Sequence, residues 1–142
     1  MQNRILIDSG PIIALFHSGD NHHKRVKAFF SNHQFCFITT LAVFTEVSHF
    51  LSVSINAQLD FYKWVMQKGV IISDINQNDM PRILELTEKY ADLPMDFADA
   101  TLLVTAEKTG IREIISLDRD FDIYRISIGK GSNKGLLKNI YK

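Results

Sequence analysis

A single cysteine in 142 residues leaves nothing to form an intramolecular disulfide, so the fold has to be held by packing alone. The three prolines and seven glycines form neither a linker nor a repeat, and nothing in the chain marks a domain boundary. Long apolar runs are missing too. No segment is apolar over the length needed to cross a bilayer, and Met1-Gln2-Asn3-Arg4 leads into only a short apolar run before Asp8, which does not read as a secretory signal. The expectation is therefore one globular domain over residues 1–142, in the cytoplasm and with no membrane partner, large enough to bury a continuous core. Its 46% apolar and 23% charged residues suit that class. Cys36, inside Phe35-Cys36-Phe37-Ile38, is expected to act as a small buried hydrophobe.

Net charge is also absent, since 16 bases balance 16 acids, but the balance is uneven along the chain. After Asp122 come Arg125, Lys130, Lys134, Lys138 and Lys142 and no acid, which leaves 11 bases against 16 acids in the body. A basic C-terminal extension from about residue 125 follows an acidic domain, and contact with phosphates or an acidic partner is one use for it. Gly129-Lys130-Gly131-Ser132 lacks the spacing and the strand-to-helix setting of a phosphate loop. The stretch reads as an appended, partly mobile end.

What is present alternates. Arg4 to Asp8 reads as a buried strand, and Ser9-Gly10-Pro11 as the turn that starts a helix. Asp20 or Asn21 is expected to cap a helix through Val26, Phe29 and Phe30, before a strand from Phe35 to Thr39. Thr39 or Thr40 caps a helix to about Val53, and Asn56 begins another that stops at Gly69. A strand over Val70 to Ile75, helices over Gln77 to Tyr90 and Asp96 to Thr109, and a strand over Glu113 to Leu117 complete the alternation. Such an order predicts an α/β fold with a central, mainly parallel sheet.

Acids stand where apolar residues or nothing in particular would be expected. In the helix containing "TTLAVFTEVSHFL", positions 43, 46, 47, 50 and 54 share one face, so Glu46 interrupts an apolar stripe and needs a partner if it is buried. In "LPMDFADATLLVTAEKTG", Asp96 is placed as an N-cap and Asp99 as the third helical residue. A cap explains Asp96. It explains Asp99 less well, because Asp99 lies on the face that continues with Leu102, Leu103 and Ala106. Asp8 and Asp118 follow the apolar runs Ile5-Leu6-Ile7 and Ile114-Ile115-Ser116-Leu117. Strand-end positions in a parallel sheet border the crevice where sites assemble. Four carboxylates converging there would repel one another unless a cation neutralised them, and a set of hard oxygens favours Mg²⁺ or Mn²⁺ over zinc. His17, His22 and His23 lie in a solvated-looking loop and are not expected to bind metal. The aromatics Phe29, Phe30, Phe35 and Phe37 are expected to be core.

The segments "LIDSGPIIALF", "TEV", "MDFADATLLVTAEKTG" and "IISLDRDF" resemble, in order and spacing, the PIN-domain family over about Ile5 to Phe121. They are most similar to its small stand-alone bacterial or archaeal members, the VapC-like ribonuclease toxins of type II toxin–antitoxin pairs. The resemblance implies a three-layer α/β/α fold and a Mg²⁺- or Mn²⁺-dependent endoribonuclease acting on RNA. It implies Asp8, Glu46, Asp99 and Asp118 as the catalytic, metal-holding acids. Ser9, Ser116 and Asp120 match supporting positions, and Asp96 is an extra carboxylate found in some branches. It also implies a small antitoxin whose C-terminal segment covers the acidic pocket, and a homodimer. Arg4, Arg119, Arg125 and the tail lysines are the candidates to hold flanking phosphates. The rival is a noncatalytic PIN-like module that binds RNA or protein. Phosphotransfer folds fit less well: a dehalogenase-like site wants an aspartate where Gly10 stands, and a receiver domain wants an acidic pair before its phosphoacceptor.

Overall fold

A computed structural model describes residues 3–129 and 133–141. Ile5, Leu6 and Ile7 of β1 (Asn3–Ile7) are each fully buried, as expected of a strand covered on both faces. Asp8 then breaks the run and caps α1 (Ser9–Phe16). The chain continues through α2 (His23–Asn32), β2 (Phe35–Thr40), α3 (Leu41–Leu51), α4 (Ile55–Met66) and β3 (Ile71–Ser73). A 3-10 turn over Gln77–Asp79 leads into α5 (Met80–Lys89), followed by α6 (Phe97–Thr109) and β4 (Glu113–Ile115). Another 3-10 turn, Arg119–Asp122, precedes β5 (Arg125–Ser127), β6 (Lys134–Leu136) and β7 (Lys138–Asn139).

The main sheet is parallel throughout, in the order β3-β2-β1-β4-β7. The chain lays down β1, β2 and β3 toward one edge and then returns to place β4 on the other side of β1. The strand order therefore reverses between β1 and β4, and the crevice beyond their carboxyl ends is the switch point where open α/β sheets bind ligands. Helix α1 packs with α2, α3 and α4, while α5 packs with α6, completing a three-layer α/β/α arrangement. Among the described residues, no helix is long and apolar enough to cross a membrane.

Several expectations need correction. Residues Asp20 and Asn21 do not cap α2; His22 stands at the N-cap without a side-chain bond, and Asp20 holds the preceding turn by accepting from the His22 amide at 2.8 Å. Helix α4 starts at Ile55 because Ser54 caps it. Cys36 is only half-buried against the core edge. The largest difference is the tail. Lys130, Gly131, Ser132 and Lys142 lie outside the described residues, but β5 and β6 form an antiparallel ribbon and β7 extends the main sheet beside β4. Leu137 and Ile126 are fully buried. Alternating apolar residues among the lysines and glycines are what tie this segment to the body.

Candidate active site

The register between β1 and β4 pairs Leu6 with Ile114 and Ile7 with Ile115, so the next residues, Asp8 and Ser116, emerge side by side. The Asp8 amide donates to the Ile115 carbonyl at 3.1 Å, extending the ladder by one bond. The Asp8 carboxylate then accepts from the Ser9 amide (2.8 Å) and, on its other oxygen, from the Ser116 hydroxyl (3.0 Å). Ser116 Oγ in turn accepts from the Asp118 amide at 2.9 Å, and Asp118 Oδ1 accepts from the Asp120 amide at 2.9 Å. Asp118 is thus the cap of the 3-10 turn that follows β4.

Helix α6 brings the third acid. Asp96 is its N-cap and accepts from the Asp99 amide at 2.8 Å, which points the first turn of the helix at the crevice. Asp99 is 6% exposed, like Asp8, and its Oδ2 accepts from the buried Tyr124 hydroxyl at 3.0 Å. The helix ends at Gly110, whose φ of 81° is the left-handed cap conformation that glycine adopts without strain. Every residue from Ala98 to Ala106 is buried. Burial of Asp99 therefore reflects a helix enclosed on all sides rather than one apolar face.

Asp8, Ser9, Gly10, Asp96, Asp99, Leu117 and Asp118 line one cleft of about 270 Å³. Glu46 is not buried in an apolar stripe: it is exposed at the stripe's edge, between the buried Val43 and Val47 and the solvent. It lies in an adjoining apolar cleft with Ala42, Phe97 and Ala98, and Asp96 forms a wall of both clefts. Asp120, half-buried, stands behind Asp118.

The electrostatics are those of a crowded acid cluster. Burial pushes the Asp8 carboxyl up to about 6, and the charges of Glu46 and Asp118 add to the effect. Asp99 is raised as well, first by burial and then by the charges of Asp8 and Asp96. Glu46, although open to solvent on one side, is raised by partial desolvation and then by the Asp96 charge. Burial, and then the charge and hydrogen bond of Asp99, raise the Tyr124 hydroxyl, so it stays a donor. Among the described residues no basic side chain forms an ion pair with any of these acids. Nor do any three His, Cys, Asp or Glu side chains among them already form a metal cage. The cleft's ionisable donors are all carboxylate oxygens, which fits a hard divalent cation, and the N-terminus of α6 supplies only a partial positive charge.

The sequence model of the PIN domain matches residues 5–126. The chain belongs to the PIN domain family. Strands β6 and β7 of this PIN domain lie beyond the matched region. No curated protein matches it in sequence. Its fold is similar to that of the Mycobacterium tuberculosis toxin VapC20, a protein described as cleaving the sarcin–ricin loop. The TM-score is 0.75 at 20% identity, covering 84% of this chain and 93% of that one.

Three residues of the PIN domain's cleft region were not singled out in the sequence. Tyr124, beyond Phe121, reads as one more core aromatic, and only the tertiary fold turns its hydroxyl to Asp99. Asn139 in β7 donates to the Ser116 carbonyl at 2.9 Å and accepts from the Ser116 amide at 3.2 Å, pinning the residue that orients Asp8. Arg25, on α2, lines a second cleft with Arg119. Of the bases expected to hold phosphates, Arg119 lines that second cleft. Arg4 instead donates to the Thr109 carbonyl at the far end of α6, and Arg125 is engaged with the carbonyls of Asp122, Ile123 and Tyr124. His23 is also occupied elsewhere, with Nδ1 2.7 Å from the Ala14 carbonyl oxygen.

Proposed function

We propose that this PIN domain is a Mg²⁺- or Mn²⁺-dependent endoribonuclease, the toxin of a toxin–antitoxin pair, with Asp8, Glu46, Asp99 and Asp118 as its metal-holding acids. The observation that carries the proposal is the convergence of Asp8, Asp99 and Asp118, from three separate segments, in one cleft at the β1/β4 switch point, with Glu46 beside it. Holding acids together at raised proton affinity costs stability, and a structure serving only to fold has no use for it. When bound, Mg²⁺ or Mn²⁺ supplies the positive charge that the cleft lacks, together with polarisation of a phosphate oxygen and a water of lowered pKa.

The chain's own residues supply the positioning. Ser116 occupies one oxygen of Asp8 and leaves that carboxylate in a fixed orientation. Tyr124 does the same for Asp99, and Asp96 aims the first turn of α6. Ser9, beside Glu46, and Asp120, behind Asp118, complete the support. Exposed apolar side chains supply room for protein partners. Phe97, 54% exposed, lines the cleft that holds Glu46, and Leu41, 61% exposed, begins the same helix as Glu46, which suits the segment of a small antitoxin laid over the acids. Val53, between α3 and α4, and Ile55, the first residue of α4, are similarly open and suit a homodimer contact. Cytoplasmic location belongs to the same reading.

Cleavage of a structured RNA panel that includes a sarcin–ricin loop, with Mg²⁺, Mn²⁺ or EDTA, tests this. The expected result is cutting that needs the cation and disappears in Asp8→Asn and Asp118→Asn. Cutting that persists in EDTA or in those variants would refute the metal mechanism. Tight RNA binding without cutting would establish the noncatalytic module instead.

A further inference from the structure

A second cleft, of about 390 Å³, opens beside the acidic one and shares Leu117 and Asp118 with it. Its size lies within the roughly 300–1,000 Å³ usual for small-molecule sites. The outer wall comes from α2 and the C-terminal segment. Arg25 lies over the Tyr141 ring, 5.7 Å from its centroid, and Tyr141 meets Phe29 edge-on at 5.5 Å. These contacts hold the end of the chain against α2. Arg119, on the 3-10 turn after Asp118, faces the same space. Among the described residues neither arginine has an ion-pair partner, and both are exposed.

We propose that this cleft holds the nucleotide adjacent to the scissile bond of a single-stranded RNA, its phosphate on Arg25 and Arg119 and its base against Tyr141 and the Arg25 guanidinium. The inference rests on the ribonuclease reading. Continuity with the acidic cleft calls for a ligand that runs from one to the other, as a polynucleotide does. Guanidinium and aromatic groups side by side suit unpaired nucleotides, which bring both an anionic phosphate and a π-face. Asp122, also in the wall, makes the cleft a poor home for a bare anion or an acidic peptide. A base edge, by contrast, offers amino groups for which a carboxylate is an acceptor.

The test uses the full chain and the RNA that it cuts. Arg25→Ala and Arg119→Ala should each raise KM about 10-fold, with the loss carried by KM rather than kcat. Each should also reduce the salt slope of RNA binding by about 0.7, one phosphate contact to a single strand. Arg119→Ala should melt like the wild type, since its side chain is on the surface, whereas Arg25→Ala also gives up its contact with the Tyr141 ring and should melt slightly lower. Active variants with unchanged KM and salt slope would overturn the subsite and leave the ribonuclease reading standing. Should the wild type cut no RNA, binding of a mixed-sequence single-stranded 10-mer decides. Arginine-dependent binding would retain the cleft as an RNA site while cleavage is abandoned, and arginine-independent binding or none would overturn it. Arginine-dependent binding of a polyglutamate peptide, with RNA binding unaffected, would also overturn it in favour of a protein partner.

Discussion

Asp96 and Asp99 stand three residues apart at the start of α6, one exposed and the other 6% exposed. Asp96 spends one oxygen on the Asp99 amide as the helix cap. The amide oxygen of asparagine can do the same, and the two residues rank alike at that position. Asp96→Asn should therefore keep substantial cleavage and a melting temperature near the wild type. Asp99→Asn keeps an acceptor for the Tyr124 hydroxyl but loses the negative charge, and it should abolish cleavage while the fold survives. Equal losses in a cleavage assay of both variants would mean that Asp96 also reaches the metal or its water. Ser116 belongs at this scale as well. Its hydroxyl donates to Asp8 and accepts from the Asp118 amide, so Ser116→Ala should lower cleavage about 10- to 100-fold, the usual cost of losing a group that orients a metal-holding acid. The same variant's affinity for Mn²⁺, read by calorimetry, should fall with it.

Among the elements, β7 carries more than its two residues suggest. By pairing Glu113 with Lys138 and Ile114 with Asn139 it gives β4 a second neighbour, so the strand that ends in the site is not a sheet edge. The Asn139 carboxamide then bonds both the amide and the carbonyl of Ser116. Asn139→Ala leaves those two groups without side-chain partners, at a cost of about 1–3 kcal/mol if they stay dry. It should lower the melting temperature and the cleavage rate together, although every acid is intact. An unchanged rate in a destabilised Asn139→Ala protein would limit β7 to a structural role. At the opposite end of α6, Arg82 forms a forked pair with Glu107 at 2.8 and 2.9 Å, and Glu107 also accepts from the Ser127 amide. This joins α5, α6 and β5, far from the acids. Its loss should cost stability without altering metal affinity.

For the whole molecule, the site makes stability depend on pH in a direction opposite to that of most paired acids. An aspartate ordinarily titrates near 4, whereas folding moves Asp8 up to about 6 and raises Asp99 as well. The folded protein therefore binds more protons than the unfolded chain between these values. The contribution is fully present below about pH 4 and is lost as the pH rises through 6 and beyond. Asp8 alone is worth on the order of 3 kcal/mol by this linkage. In metal-free protein, Asp8→Asn should melt close to the wild type at pH 4 and clearly above it at pH 8. Mn²⁺ at pH 8 should raise the wild-type melting temperature more than that of the variant. Parallel melting curves for the two proteins across this range would show that the buried carboxylate carries no such strain.

Caps, glycine stops and apolar runs in the sequence are enough to set the helices and the first four strands, though not β6 and β7, and they mark Asp8, Asp99 and Asp118 as acids at the ends of apolar elements. These features were legible because they are local: Asp96 caps, Gly110 terminates, and Ile5-Leu6-Ile7 asks for a strand covered on both faces. Whether Glu46 is buried or reaches the stripe's edge is not legible locally, because spacing defines a stripe but not its edge, which depends on what packs against α3. The strand order was decided only by the tertiary structure. With β4 returning beside β1, Asp8 and Ser116 become neighbours across 108 residues. Tyr124, Asn139 and Arg25 acquire their places in the same way, from contacts between segments remote in sequence, which no local pattern of hydrophobicity or capping encodes.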